Sequence, residues 1–195
     1  MKNILLFIQK HYNYSDYQMK QLEYLFMTIF SELSKFIFLG ILFHKCLKLY
    51  LFSMAVLFLL RGTTGGIHCK TYISCLTVSF GYLFLAIYIL PGIILSKTTM
   101  LIFLLLCSLI TFFIGPVTSI YRPEPTRKLQ KKCRQKVFIT IFFYLILMYL
   151  LPDNFYIISG FWIIILHTFQ LLIAHILKGA KQKNEMEPET RQPVR

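Results

Sequence analysis

This chain of 195 residues lacks paired cysteines. Cys46, Cys69, Cys75, Cys107 and Cys133 are odd in number and contain no CxxC, which argues against a disulfide framework and against a zinc site. Reduced thiols and no metal are expected. No cleavable leader is expected: the apolar run Ile4 to Ile8 is too brief for a signal peptide core and no small-residue cleavage site follows it, so the N-terminus is expected to be retained. No internal repeat is evident. The aromatic residues, among them Trp162, Tyr82 and Tyr144, are spread through the chain rather than grouped, so no cofactor is expected.

Charge is the next scarcity, because it is missing from long stretches. Hydrophobic residues make up 56% of the sequence and the mean hydropathy is +0.62, against roughly 45–50% apolar content, Gly included, in soluble domains. They fall in blocks suited to lipid rather than to one packed core. Six spans are predicted: Leu22 to Phe43, Leu47 to Leu60, Ile73 to Leu95, Met100 to Thr118, Val137 to Leu151 and Tyr156 to Leu177. The second and fifth reach only ~21–23 Å at ~1.5 Å per residue, short of a ~30 Å hydrocarbon core, so they must borrow flanking residues, thin the bilayer or re-enter it. The expected fold is all-α: a polytopic membrane protein with about six transmembrane or re-entrant helices. Residues 1–21, mixing aromatic, apolar and basic side chains, are expected to form an interfacial helix. A single membrane domain over 1–180 and a flexible tail over 181–195 complete the expected organisation.

The net charge of +13 is explained by topology, with no nucleic-acid partner implied. With the N-terminus inside, 17 Lys and Arg residues lie on one side of the predicted spans and 3 on the other, counting Lys48 at the edge of the second span with Lys45 and Lys97. The positive-inside rule then puts both termini, the loop at Arg61 and a basic loop over 119–136 in the cytoplasm.

Chemistry concentrates in Arg61-Gly-Thr-Thr-Gly-Gly-Ile-His68-Cys-Lys-Thr-Tyr-Ile-Ser-Cys75. Gly62, Gly65 and Gly66 favour tight, non-helical backbone. A cap at or before Thr71 would put Cys75 in the first turns of the third span, where a helix N-terminus stabilises anions such as a thiolate. Imidazole is suited to take a thiol proton, and His68 is the nearest. On one straight helix the two residues would stand ~10.5 Å apart along the axis, far beyond a ~3 Å hydrogen bond. Either the glycine turn folds His68 back over Cys75, or a homodimer interface completes the pair.

Arg61, Gly66, His68 and Cys75, spaced R-x4-G-x-H-x6-C at the start of a span, resemble the accessory gene regulator B (AgrB) family. The similarity extends to the amphipathic N-terminus, to Ser31-Glu32-Leu33-Ser34-Lys35 in the first span, and to Gly115-Pro116 followed by a Pro-containing basic loop. The resemblance implies a membrane cysteine endopeptidase. Its partner would be an AgrD-like precursor peptide, with His68 as base and Cys75 as nucleophile. An acyl-enzyme thioester would then be attacked by an internal Cys or Ser of the peptide, closing a thiolactone or lactone ring for quorum sensing.

Other residues carry expectations of their own. Arg61 is either a snorkelling anchor or a group that fixes carboxylates or an oxyanion, while Gly65 and Gly66 support the loop. Cys69 is the rival nucleophile. Glu32, deep in the first span, is expected to pair with Lys35, with a substrate or catalytic role as the alternative. Lys128, Lys131 and Lys132 in the basic stretch are candidates for attracting the acidic C-terminal segment that the resemblance implies for the precursor. A polytopic peptide exporter without covalent chemistry is the competing reading, although the paired halves usual in secondary transporters are not visible.

Overall fold

The computed structural model describes residues 16–65, 71–117, 126–152 and 154–186. Among them six long helices and no strands are present: α1 (Asp16–Leu42), α2 (Leu47–Thr64), α3 (Tyr72–Phe84), α4 (Lys97–Ile114), α5 (Arg127–Leu150) and α6 (Phe155–Met186). A π-helical segment, Leu85–Ile89, and a short turn, Leu90–Gly92, prolong α3. Five helices are long and apolar enough to cross a membrane: His44–Thr64, Tyr72–Gly92, Lys97–Ile114, Arg127–Leu150 and Phe155–Gly179. Together with α1, which contains the first predicted span, they make this a multi-pass membrane protein of all-α class.

Two compact units divide the chain, Met1–Lys45 and Cys46–Arg195. In the first, α1 runs unbroken from Asp16, and the remainder of the expected interfacial helix, 1–15, lies outside the described residues. Glu32 and Lys35, one turn apart, form an ion pair in which the lysine is the buried partner. This engages the carboxylate locally.

The second unit is organised around α6. Two thirds of its most apolar stretch is buried (67%), against 22–28% in the other four candidate spans, so α6 is central and the others expose a lipid-suited face. Asn154 caps it, its Oδ1 accepting from the Ile157 N–H at 3.0 Å. Helices α2 and α4 pack along it, α5 packs on α4 and α2 and reaches α6 through Tyr144, and α3 packs on it chiefly through the π-helical segment and following turn.

Large apolar side chains, among them Phe161, Ile163, Ile164 and Leu171, fill much of the buried face of α6, and small or polar residues mark its closest approaches. Ser159 and Ser53 of α2, both fully buried, share a hydrogen bond of 2.7 Å. Tyr144 of α5 donates to the Ile157 carbonyl at 2.6 Å, close over Gly160. Small residues permit such approach in a bilayer, where packing and interhelical hydrogen bonds replace the hydrophobic effect.

Helix ends differ from the sequence-based expectations. The second and fifth spans are not short, because α2 continues through Arg61 and Gly62 to Thr64 and α5 begins at Arg127. Their 18 and 24 residues give roughly 27 and 36 Å. Arg61 therefore occupies a last helical turn, where a cation meets the negative end of the helix dipole, rather than a loop. Lys128, Lys131 and Lys132 likewise belong to a helix that Thr126 caps, not to a loop reaching 136. The fourth span stops at Ile114, before Gly115 and Pro116. Helix α6 runs on to Met186, six residues into the expected flexible tail, of which 187–195 lie outside the described residues.

The packing at Gly160 is directly testable. A Cβ there would stand 2.3 Å from the Tyr144 hydroxyl and 3.1 Å from the Phe52 ring, whereas one at Gly179, on the same helix, would meet nothing within 4 Å. Gly160→Val is expected to lower the thermal midpoint of the detergent-solubilised protein, at an overpacking cost of ~1–3 kcal/mol, and Gly179→Val to leave it nearly unchanged.

Candidate active site

The described part of the site begins where α2 ends. The Thr64 hydroxyl bonds back to the Leu60 carbonyl at 2.9 Å, and its side chain is buried. Gly65 follows with φ +75°, and its N–H returns to the Arg61 carbonyl at 3.0 Å. That conformation suits glycine. It is enforced from the other side by Val117, whose N–H donates to the Thr64 carbonyl at 2.9 Å and whose backbone forms an isolated parallel bridge with Gly65.

The strand-like touch at Val117 is itself secured. Gly115 ends α4 with its N–H on the Thr111 carbonyl, the Gly115–Pro116 peptide is cis, and the Arg134 side chain of α5 donates through Nε to the Gly115 carbonyl at 2.7 Å. Beneath the joint lies His167 of α6, 1% exposed, its Nε2 at 2.7 Å from Thr64 Oγ1. Among the described residues its Nδ1 has no hydrogen-bond partner.

Gly66, His68 and Cys69 fall within 66–70, outside the described residues. The chain resumes at Thr71, whose extended backbone (φ −115°, ψ 150°) breaks any continuous helix between His68 and Cys75. Thr71 caps α3: its Oγ1 accepts from the Ser74 N–H at 3.3 Å, and its carbonyl accepts from the Cys75 N–H at 3.1 Å. Cys75 thus sits one turn into α3, half-buried and not in a disulfide.

The face of α3 that carries Cys75 carries Tyr82 seven residues on, two helical turns later. The Tyr82 hydroxyl donates to the Ile163 carbonyl of α6 at 2.6 Å. Leu83, Ala86 and Ile87, buried on the same side, continue this contact stripe. Cys75 is therefore on the packed edge of α3, whereas neighbours such as Ile73 and Val78 are exposed.

On α5, Lys128, Lys131 and Lys132 are exposed, and their i, i+3, i+4 spacing puts them on one face. No group of three or more His, Cys, Asp or Glu suited to a metal ion occurs among the described residues. Thr64, Val117, Arg134 and His167 went unremarked in the sequence. Of these only His167 carried a signal, an ionisable side chain within an apolar span; the others acquire meaning from contacts made far along the chain.

The joint at Gly65 yields a contrast of sign. A Cβ on Gly65 would lie 2.4 Å from the Val117 carbonyl oxygen, in a backbone region L-residues rarely adopt, while one on helical Gly62 would meet nothing within 4 Å. Gly65→Ala is expected to destabilise the protein by ~1–3 kcal/mol. Gly62→Ala is expected to stabilise it by ~0.5–1 kcal/mol, the ordinary helical preference for alanine. Thermal unfolding followed on purified protein in detergent compares the two.

Comparison with known proteins agrees with the motif. The family described as "Accessory gene regulator B" matches residues 1–171. An AgrB-like protein of Clostridium beijerinckii is 36% identical over 157 residues, covering 77% of this chain and 76% of its own length. No solved structure matches. The membrane helices, the R-x4-G-x-H-x6-C segment at the head of α3 and a family match over most of the sequence lead to one conclusion: this chain belongs to the accessory gene regulator B family.

Proposed function

We propose that this protein is a membrane cysteine endopeptidase that cuts an AgrD-like precursor peptide and passes the N-terminal part on as a cyclic signal for quorum sensing. The observation that carries the reading is the setting of Cys75: half-buried, one turn inside α3, behind the capped and extended Thr71.

Chain length favours the pair. Gly65 and Thr71 are anchored by the bonds described above, and His68 lies three residues from each, within ~11 Å of either Cα at full extension. A five-residue connection is short enough to be compatible with pairing within one subunit. Pairing across a homodimer is the alternative, and the exposed apolar faces of the helices leave room for it.

The reaction balances without an added reagent. His68 takes the Cys75 proton, and the sulfur attacks the scissile carbonyl. The C–N bond breaks as the imidazolium gives its proton to the departing amine, leaving a thioester between Cys75 and the N-terminal portion. An internal Cys or Ser of that portion, deprotonated by the same imidazole, attacks the thioester carbonyl, closes the ring and expels the Cys75 thiolate. Shielding from water favours ring closure over hydrolysis. Arg61, held at the α2 C-terminus beside the loop, is suited to a carboxylate or the developing oxyanion.

Lys128, Lys131 and Lys132 supply recognition. Their charges sit in the first turns of α5, where the positive end of the helix dipole adds to them and makes an anion-attracting face. An acidic C-terminal segment of the precursor fits that face, and the positive-inside rule puts it and the Cys75 edge in the cytoplasm.

Coexpression with a tagged precursor, read by immunoblot and mass spectrometry, tests the reading. Cys75→Ala and His68→Ala are expected to abolish cleavage, Cys69→Ser to retain it, and Lys128→Glu with Lys132→Glu to weaken it most for acidic-tailed precursors. Cleavage that survives Cys75→Ala rejects the endopeptidase, and a precursor exported uncut by the wild type points to a transporter.

A further inference from the structure

One turn of α6, Ile163 to His167, touches both sides of the catalytic segment. At its start the Ile163 carbonyl accepts the Tyr82 hydroxyl, on the face of α3 that carries Cys75. At its end the His167 ring holds Thr64, the last residue of α2 and four residues ahead of His68. Residues i and i+4 lie on one helix face, so the two attachments are stacked on a single edge of the most buried helix.

The hydrogen-bond directions are constrained. The one hydroxyl hydrogen of Thr64 is directed to the Leu60 carbonyl at 2.9 Å, as is usual for a threonine inside a helix. Oγ1 is then left to accept, so His167 donates through Nε2–H, and its Nδ1 presents a lone pair that meets no donor among the described residues. An underused acceptor is better tolerated in an apolar interior than an orphaned N–H, which favours this tautomer. A histidine buried to 1% exposure with one nitrogen unmatched still carries a desolvation cost. Packing alone would be served better by an apolar side chain.

We propose that the Ile163–His167 turn of α6 is the positioning element of the active site, with Thr64–His167 setting the origin of the His68 loop and Tyr82–Ile163 setting the depth and rotation of the Cys75 helix. Thr64, His167 and Tyr82 are positioning residues: they act through His68 and Cys75, without touching substrate. The inference rests on the Cys75/His68 endopeptidase reading. It makes a distinct claim, that the base and the nucleophile are registered against a common third element and not only against each other.

The test uses the full chain in membrane vesicles with a purified tagged precursor, and separates the maximal cleavage rate from KM. Thr64→Val keeps the shape and removes the hydroxyl; Thr64→Ser keeps the hydroxyl and removes the methyl. The expected result is a tenfold or greater fall in maximal rate for Thr64→Val at unchanged KM, with Thr64→Ser within about twofold of wild type. Tyr82→Phe, which removes only the bond to Ile163, is expected to lower the maximal rate in the same way, and it carries the test if Thr64→Val does not accumulate. Wild-type maximal rates in both Thr64→Val and Tyr82→Phe overturn the inference. So does a loss in Thr64→Ser equal to that in Thr64→Val, which marks a packing role alone. Cys75→Ala, run in parallel, separates the two levels: if it still cleaves, the endopeptidase reading itself has failed.

Discussion

Helix α6 has to be buried, and it has to bring polar groups with it. Within a bilayer no water competes for a hydroxyl or an imidazole, so each such group is satisfied by a neighbouring helix or left at a cost. Ser159 bonds to Ser53 on α2, the Ile157 carbonyl to Tyr144 on α5, the Ile163 carbonyl to Tyr82 on α3, and His167 to Thr64 at the end of α2. Individually these are modest, ~0.5–2 kcal/mol each. Their value is geometric. They fix rotation and depth of helices whose apolar faces are otherwise as comfortable against lipid as against each other.

The same constraint explains why the joint at Gly65 can exist. Non-helical backbone at the end of a packed helix is tolerated where neighbouring segments satisfy its polar groups. Gly65 and Val117 bond across the gap between α2 and α4, Arg134 takes up the Gly115 carbonyl, and His167 closes the underside. A glycine with positive φ pressed against a carbonyl leaves no room for any side chain, so the point from which the His68 loop departs is set by backbone geometry.

How far the sequence disclosed this follows from where each signal lies. Apolar blocks gave the membrane fold, because hydropathy is local. Their ends were misjudged wherever a helix continued through polar residues. Arg61 and Gly62 looked like a loop, yet a cation suits a helix C-terminus and α2 reaches Thr64. The basic run from Arg127 also looked like a loop, yet Lys, Arg and Gln are good helix formers and Thr126 provides a cap. The proposed Cys/His pair was named from family resemblance, and the extended backbone of Thr71 interrupts the helix ahead of Cys75. The support beneath it was not visible. Thr64 and His167 are 103 residues apart, and nothing in either local stretch announces the other.

The central claim is that Cys75 becomes covalently attached to the precursor before the ring closes. A precursor whose internal Cys and Ser are replaced by Ala can still be cut but cannot cyclise, so the thioester has no internal exit. Mass spectrometry of the protein recovered with that precursor is expected to find the N-terminal portion of the peptide attached at Cys75 and released by added hydroxylamine. Cleaved peptide with no adduct, or an adduct carried by Cys69, would contradict the account.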